Sequence, residues 1–85
     1  MRVKLLFFAA LRDELGRPAE ELELPANVTT VAALRDHLRT RGGEWGRVFA
    51  PNRPVRAAVN QDMVQAEAPI KAGDEVAFFP PVTGG

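Results

Sequence analysis

Eighty-five residues amount to 9.3 kDa, enough for one domain and too few for two independent cores. A hydrophobic share of 46% beside 26% charged residues sits near the globular average and excludes disorder sustained by high charge and scarce apolar side chains. Eleven basic residues offset eleven acidic ones for a net charge of +0, which excludes an electrostatic footprint for nucleic acid.

Arg2-Val3-Lys4-Leu5-Leu6-Phe7-Phe8 starts in polar/apolar alternation and ends fully apolar, the pattern of a strand buried on one face and partly covered on the other. Val3, Leu5 and Phe7 share one face, while Arg2, Lys4, Leu6 and Phe8 share the opposite one. Ala9 to Leu15 is rich in helix formers and stops at Gly16-Arg17-Pro18, a short helix before a break. Glu20 to Leu24 alternates with period two and predicts a second strand, hairpin-paired with the first. Its acids Glu20, Glu21 and Glu23 read as a solvated face.

Thr29 or Thr30 then caps the clearest helix by accepting a hydrogen bond from a free backbone N–H. Val31, Leu34 and Leu38 form its apolar stripe, with Arg35, Asp36 and Arg39 off it. Arg39 and Arg41 suit the negative end of the helix dipole, and Gly42-Gly43 reads as a left-handed C-terminal cap. Glu44 to Phe49 predicts a further short turn, with Trp45 and Phe49 as satellite core. Pro51 to Pro54 is a loop, Val55 to Val59 a third strand, Asn60-Gln61-Asp62 a turn and Met63-Val64 a short fourth strand. Ala72-Gly73-Asp74 turns into Glu75-Val76-Ala77-Phe78-Phe79, the last strand. Pro80-Pro81 ends it, since neither residue has an N–H to give the ladder.

The order strand, strand, helix, strand, short strand, strand predicts an α+β chain in which one main helix crosses a mixed sheet. The first and last strands have the strongest β character and are placed parallel at the sheet centre. That arrangement is a ubiquitin-like β-grasp, over residues 1–79, followed by an extended tail over 80–85.

With no cysteine and one histidine, His37, neither a disulfide, a thiol nucleophile nor a structural zinc cluster is available. His37, near the edge of the helix stripe, reads as a partly exposed spacer. The apolar run Leu5 to Leu11 is far shorter than the roughly 20 residues of a membrane helix. No secretory pattern follows Met1, so a soluble, cytoplasmic protein without membrane or nucleic-acid partners is expected. Usual catalytic side chains are scarce.

The tail Pro80-Pro81-Val82-Thr83-Gly84-Gly85 is where chemistry remains possible. Two prolines stiffen the exit into an extended path. Gly85 leaves its carboxylate unshielded, and Gly84 lets the backbone pass through a narrow channel. From Pro81 to Gly85 the tail reaches roughly 16 Å at about 3.3 Å per residue. It is built as a probe for another protein's active site.

Phe78-Phe79-Pro80-Pro81-Val82-Thr83-Gly84-Gly85, preceded by Gly73-Asp74-Glu75-Val76-Ala77, resembles the C-terminus of the molybdopterin synthase small-subunit family. Leu6-Phe7-Phe8-Ala9, Leu11 to Gly16, Val31 to Arg35 and Ala57 to Gln61 match it in order, so the resemblance spans nearly the whole chain. It implies a sulfur carrier that binds no cofactor itself. A partner enzyme spends ATP to turn the Gly85 carboxylate into an acyl-adenylate, and sulfur displaces AMP to leave a thiocarboxylate. The large synthase subunit, expected to form a heterotetramer with two carriers and to hold the catalytic side chains, takes a sulfur from each to build the molybdopterin dithiolene.

If Val3, Leu5, Phe7, Val59, Val76 and Phe78 face the helix, then Leu6, Phe8, Ala58, Ala77 and Phe79 face away, joined by Met63. Aromatics and a methionine on a sheet exterior predict an interaction patch; the competing expectation is that the chain's own loops cover them. The resemblance assigns Phe8, Met63 and Phe79 to contacts with both partners, and sets Arg12, which otherwise reads as a surface arginine, near the same interface. Pro80, Pro81, Val82 and Thr83 complete the partner-binding set, with Gly84 and Gly85 as the reactive end. Three alternatives stay open: a sulfur carrier for thiamine, cysteine or tRNA thiolation; a protein modifier joined through Gly85; and a plain β-grasp binding module.

Overall fold

The computed structural model describes residues 1–81. Its elements are β1 (Arg2–Phe7), α1 (Ala9–Leu15), β2 (Ala19–Glu23), α2 (Val31–Arg39), α3 (Gly43–Val48), β3 (Arg56–Val59), β4 (Asp62–Val64) and β5 (Glu75–Phe79). The five strands lie in the order β2-β1-β5-β3-β4. β1 and β5 run parallel at the centre, and the β1–β2, β3–β5 and β3–β4 pairs are antiparallel. This is the β-grasp expected from the sequence, and its central pair sets the first and last strands side by side.

Alternation in the strands divides the sheet into two faces. Val3, Leu5, Phe7, Ala57, Val76 and Phe78 point inward and join Val31, Leu34 and Leu38 of α2 in one core. At its centre four rings close a loop. Phe7 and Phe78 stack at 6.4 Å, Phe49 meets Phe78 edge-on at 5.1 Å, Trp45 stacks on Phe49 at 6.2 Å, and Phe7 meets Trp45 edge-on at 5.6 Å. Phe49 is therefore part of the principal core, not a satellite, while Trp45 packs against it from a half-buried position.

Two other local readings change. Thr30 is the N-cap of α2, its Oγ1 accepting from the N–H of Ala33 at 3.1 Å, but the helix ends at Thr40 in a right-handed conformation. Gly42 and Gly43, both at positive φ, instead form the entry to α3, with Gly42 as its N-cap. Only glycine turns the chain this way cheaply, so the pair joins two helices where a simple stop was expected.

Glu20 also departs from the solvated face expected for it. It pairs in register with inward-facing Leu5, so its carboxylate points to the helix side of the edge strand. Arg41 holds both carboxylate oxygens, at 2.9 and 2.5 Å, and Arg17 donates to one of them at 2.8 Å. The two guanidinium groups lie 4.4 Å (Arg41) and 5.6 Å (Arg17) from the Trp45 ring centroid. Hydrogen bonding from Arg41 keeps the Glu20 carboxyl below its ordinary range against the opposing effect of burial. An inward-facing, paired charge on an edge strand also discourages edge-to-edge association.

Candidate functional site: the open face of the sheet

The outer face carries the residues that the alternation assigned to it. Leu6, Phe8, Ala58, Gln61, Met63, Glu75, Ala77 and Phe79 line an open groove of about 360 Å³. Ala58 and Ala77 form its buried floor, while Phe8 is 46% and Met63 51% exposed. These two are the large exposed hydrophobic side chains among the described residues. No loop of the described chain covers them, so the expectation of a self-covered face is set aside.

The backbone explains how such side chains stay open. Phe8 ends the β1 path, its N–H donating to the Phe78 carbonyl at 3.1 Å. Ala9 then adopts a φ of +53°, turning the chain off the sheet so that α1 drops Leu11 into the core. A side-chain-bearing residue in the left-handed region costs of order 1 kcal/mol, which the surrounding packing offsets. Phe8 is left on the far side of that bend, its ring edge-on to Phe79 at 6.5 Å.

Met63 reaches the same groove by another route. Asn60 and Gln61, at φ of +50° and +74°, make the two-residue turn between β3 and β4, of the kind that matches strand twist. The register then sets Met63 opposite Ala58. A clasp absent from the sequence reading fixes this hairpin against β5. Asn60 donates from Nδ2 to Asp74 Oδ1 at 3.0 Å, while its Oδ1 accepts from the Glu75 N–H at 3.0 Å. Asp74 Oδ2 accepts from the Lys71 N–H at 2.8 Å. Asp74 is the buried charged residue of the described chain. The hydrogen bond from Asn60, helped by the Lys71 N–H, holds its carboxyl below the ordinary aspartate range although burial opposes this.

Arg12 sits in α1, its backbone N–H 3.4 Å from the Phe8 carbonyl. Its side chain is exposed, with Asp13 as a loose neighbour at 3.9 Å. It does not line the groove. β5 ends at Phe79, whose register partner is Arg56, and half-buried Pro80 and Pro81 follow. The structure thus brings Phe8, Met63 and Phe79 together at the end of the sheet where the tail departs. Val82, Thr83, Gly84 and Gly85, the remaining predicted site residues, lie outside the described residues.

A larger hollow of about 490 Å³ opens on the helix side, between α2, the 51–57 segment and residues 64–66. Arg35, off the apolar stripe of α2 in the sequence pattern, donates there to the carbonyls of Phe49, Ala50 and Arg53. Its work is to bind the loop after α3 to α2. Arg53 in turn grips Glu14 of α1 with two hydrogen bonds. Neither partnership is visible in sequence spacing, because each spans different elements. No group of three or more His, Cys, Asp or Glu side chains suited to a metal occurs among the described residues, and no described helix is long and apolar enough to cross a membrane.

The fold is a ubiquitin-like β-grasp whose open apolar face lies at the end of the sheet where β5 passes into Pro80 and Pro81. The chain belongs to the ThiS family, whose model matches residues 5–85. It is 45% identical over 83 residues to the molybdopterin synthase sulfur carrier subunit of Escherichia coli, covering 98% of this chain and 99% of that one. The Haemophilus influenzae protein of the same name is 40% identical over 83 residues, with the same coverage. Among solved structures, a complex of subunits 1 and 2 of the molybdopterin-converting factor from Helicobacter pylori includes a chain matching at a TM-score of 0.66 with full coverage of both, at 21% identity.

Proposed function

We propose that this chain is the sulfur-carrier subunit of a molybdopterin synthase, acting in the cytoplasm, and that its open sheet face docks the partners that act on its tail. The observation that carries the reading is the convergence of Phe8, Met63 and Phe79 at the tail exit, in a chain whose full-length relatives are named as sulfur carriers. An exposed apolar groove of this kind provides affinity through burial on a partner. Two prolines at the end of β5 restrict the backbone ahead of the tail.

The chemistry is what the family resemblance implies, and the absence of thiols fits it. A chain with no cysteine carries sulfur only on its own carboxyl end. A carboxylate is a poor electrophile until one oxygen becomes part of a leaving group. An activating enzyme supplies that by joining the Gly85 carboxylate to AMP from ATP, releasing pyrophosphate. A sulfur nucleophile attacks the acyl carbon, AMP departs, and Gly85 ends as a thiocarboxylate. The large synthase subunit then receives the sulfur for the dithiolene, with Gly84 threading its channel and catalytic side chains supplied by that subunit. The carrier itself binds neither cofactor nor metal in this scheme.

Intact mass spectrometry tests it directly. The chain is incubated with ATP, magnesium, an activating enzyme of this family and a sulfide source. Exchange of one oxygen for sulfur, mapped to Gly85 and lost when Gly85 is deleted, is expected. An unchanged mass, with a known carrier converting in parallel, would overturn the reading in favour of a binding module. Conjugates between Gly85 and target lysines would favour a protein modifier.

A further inference from the structure

The outer face is divided along its length in a way that the apolar groove alone does not reveal. At the end remote from the tail its charges are matched across strands. Lys4 has Glu21 as register partner on one side and Glu75 on the other, and Arg2 pairs with Glu23 at 3.8 Å. At the tail end the register partners are Leu6 with Ala77, Ala58 with Ala77 and Met63, and Phe79 with Arg56.

Arg56 stands apart. It is exposed, alternates with inward-facing Ala57, and so shares the face of Phe79 and Ala58. Standing at the start of β3, it also borders the helix-side hollow. The residue that follows β4, beyond the Ala57–Val64 pair, is Gln65, which is uncharged. None of the described ion pairs or side-chain hydrogen bonds involves Arg56, whereas Arg2, Arg12, Arg17, Arg39, Arg41, Arg47 and Arg53 all have a carboxylate within 4.0 Å. The register sets Arg56 opposite Phe79 at the tail end of this face, outside the groove lining itself, and a guanidinium is a strong donor to a carboxylate and only weakly hydrated.

We propose that Arg56 is the charged selector of the docking face, pairing with an acidic side chain that the large synthase subunit presents beside its apolar contact surface. This rests on the docking reading above and adds to it a polarity: the partner covers the tail-proximal half of the face and leaves the matched charges of the remote half in water. A rim charge of this kind acts mainly on association rate and salt dependence. It also disfavours partners with a basic rim, because like charges brought together there are unfavourable.

The test is calorimetric titration of the full chain into the large subunit at low and high salt. Wild type is compared with Arg56→Lys, Arg56→Gln, Arg56→Glu and Phe8→Ala, with thermal melts confirming that each variant folds. Arg56→Glu is expected to weaken binding about tenfold at low salt and Arg56→Gln about threefold, with Arg56→Lys near wild type and the differences shrinking as salt rises. If the Arg56 variants bind like wild type at both salts while Phe8→Ala weakens binding, the selector is wrong and the docking face stands. If Phe8→Ala also binds like wild type, both fall.

Discussion

Phe7 and Phe8 are neighbours in the chain and opposites in the molecule. Phe7 is 1% exposed and locked among Trp45, Phe78 and the α2 stripe, whereas Phe8 is 46% exposed over a groove with nothing described above it. Phe78 and Phe79 repeat the contrast on the adjacent strand, the one buried to 1% and the other half-buried at the rim. One face of the sheet spends its aromatics on holding the fold together, and the other keeps them available. Apolar composition alone therefore does not report stability; the side of the sheet decides what an aromatic is for.

Breaking the inner face gives the largest expected effect. Phe78→Ala removes a ring from the centre of the four-ring core and should cost about 3–5 kcal/mol of unfolding free energy, read by denaturant titration. Phe8→Ala sharpens the contrast: its unfolding free energy should change by less than about 1 kcal/mol, while affinity for the large subunit should fall by about 2 kcal/mol, roughly thirtyfold. A large loss of stability in that variant would mean that Phe8 belongs functionally to the core.

The clasp that orients the Met63 hairpin comes next. Asp74→Asn sets an amide donor where a carboxylate accepts from Asn60 and the Lys71 backbone, and should cost about 1–3 kcal/mol. Its pH dependence has a definite sign. Because the folded Asp74 carboxyl sits below its ordinary value, its stabilisation is fully present above about pH 4, the unfolded range, and is lost as pH falls through the lowered folded value. Acid titrations of stability should therefore be shallower for Asp74→Asn than for wild type. The smallest effect is expected at Gln61, whose φ of +74° suits glycine better. Gln61→Gly should raise stability by at most about 0.5 kcal/mol, since relief of the left-handed penalty is partly offset by greater freedom in the unfolded chain.

What the sequence made legible follows from periodicity. The two-residue alternation in Val3-Lys4-Leu5-Leu6-Phe7-Phe8 and in Val76-Ala77-Phe78-Phe79 is enough to assign both faces of the central strands. The stripe Val31, Leu34, Leu38 did the same for α2. Side chains that reach across elements were not legible: Arg35 to the carbonyls after α3, Arg53 to Glu14, Asn60 to Asp74. Their partners are 14 to 39 positions away, where no local pattern links them. Glu20 differs from its expected place for a related reason: its position beside two glutamates suggests one solvated face, whereas the pleat turns it to the other side, against Arg41.

The contrast between the two faces is tested most directly by steady-state kinetics of sulfur loading onto Gly85. The substrate would be wild-type carrier or a Phe8→Ala, Met63→Ala double variant, with the activating enzyme, ATP and sulfide held constant. A docking face separate from the reactive end predicts a raised KM for the variant, an unchanged kcat and an unchanged melting temperature. A fall in kcat at unchanged KM, or a variant that melts well below wild type, would contradict the account, because the outer face would then serve the chemistry or the fold and not the recognition of a partner.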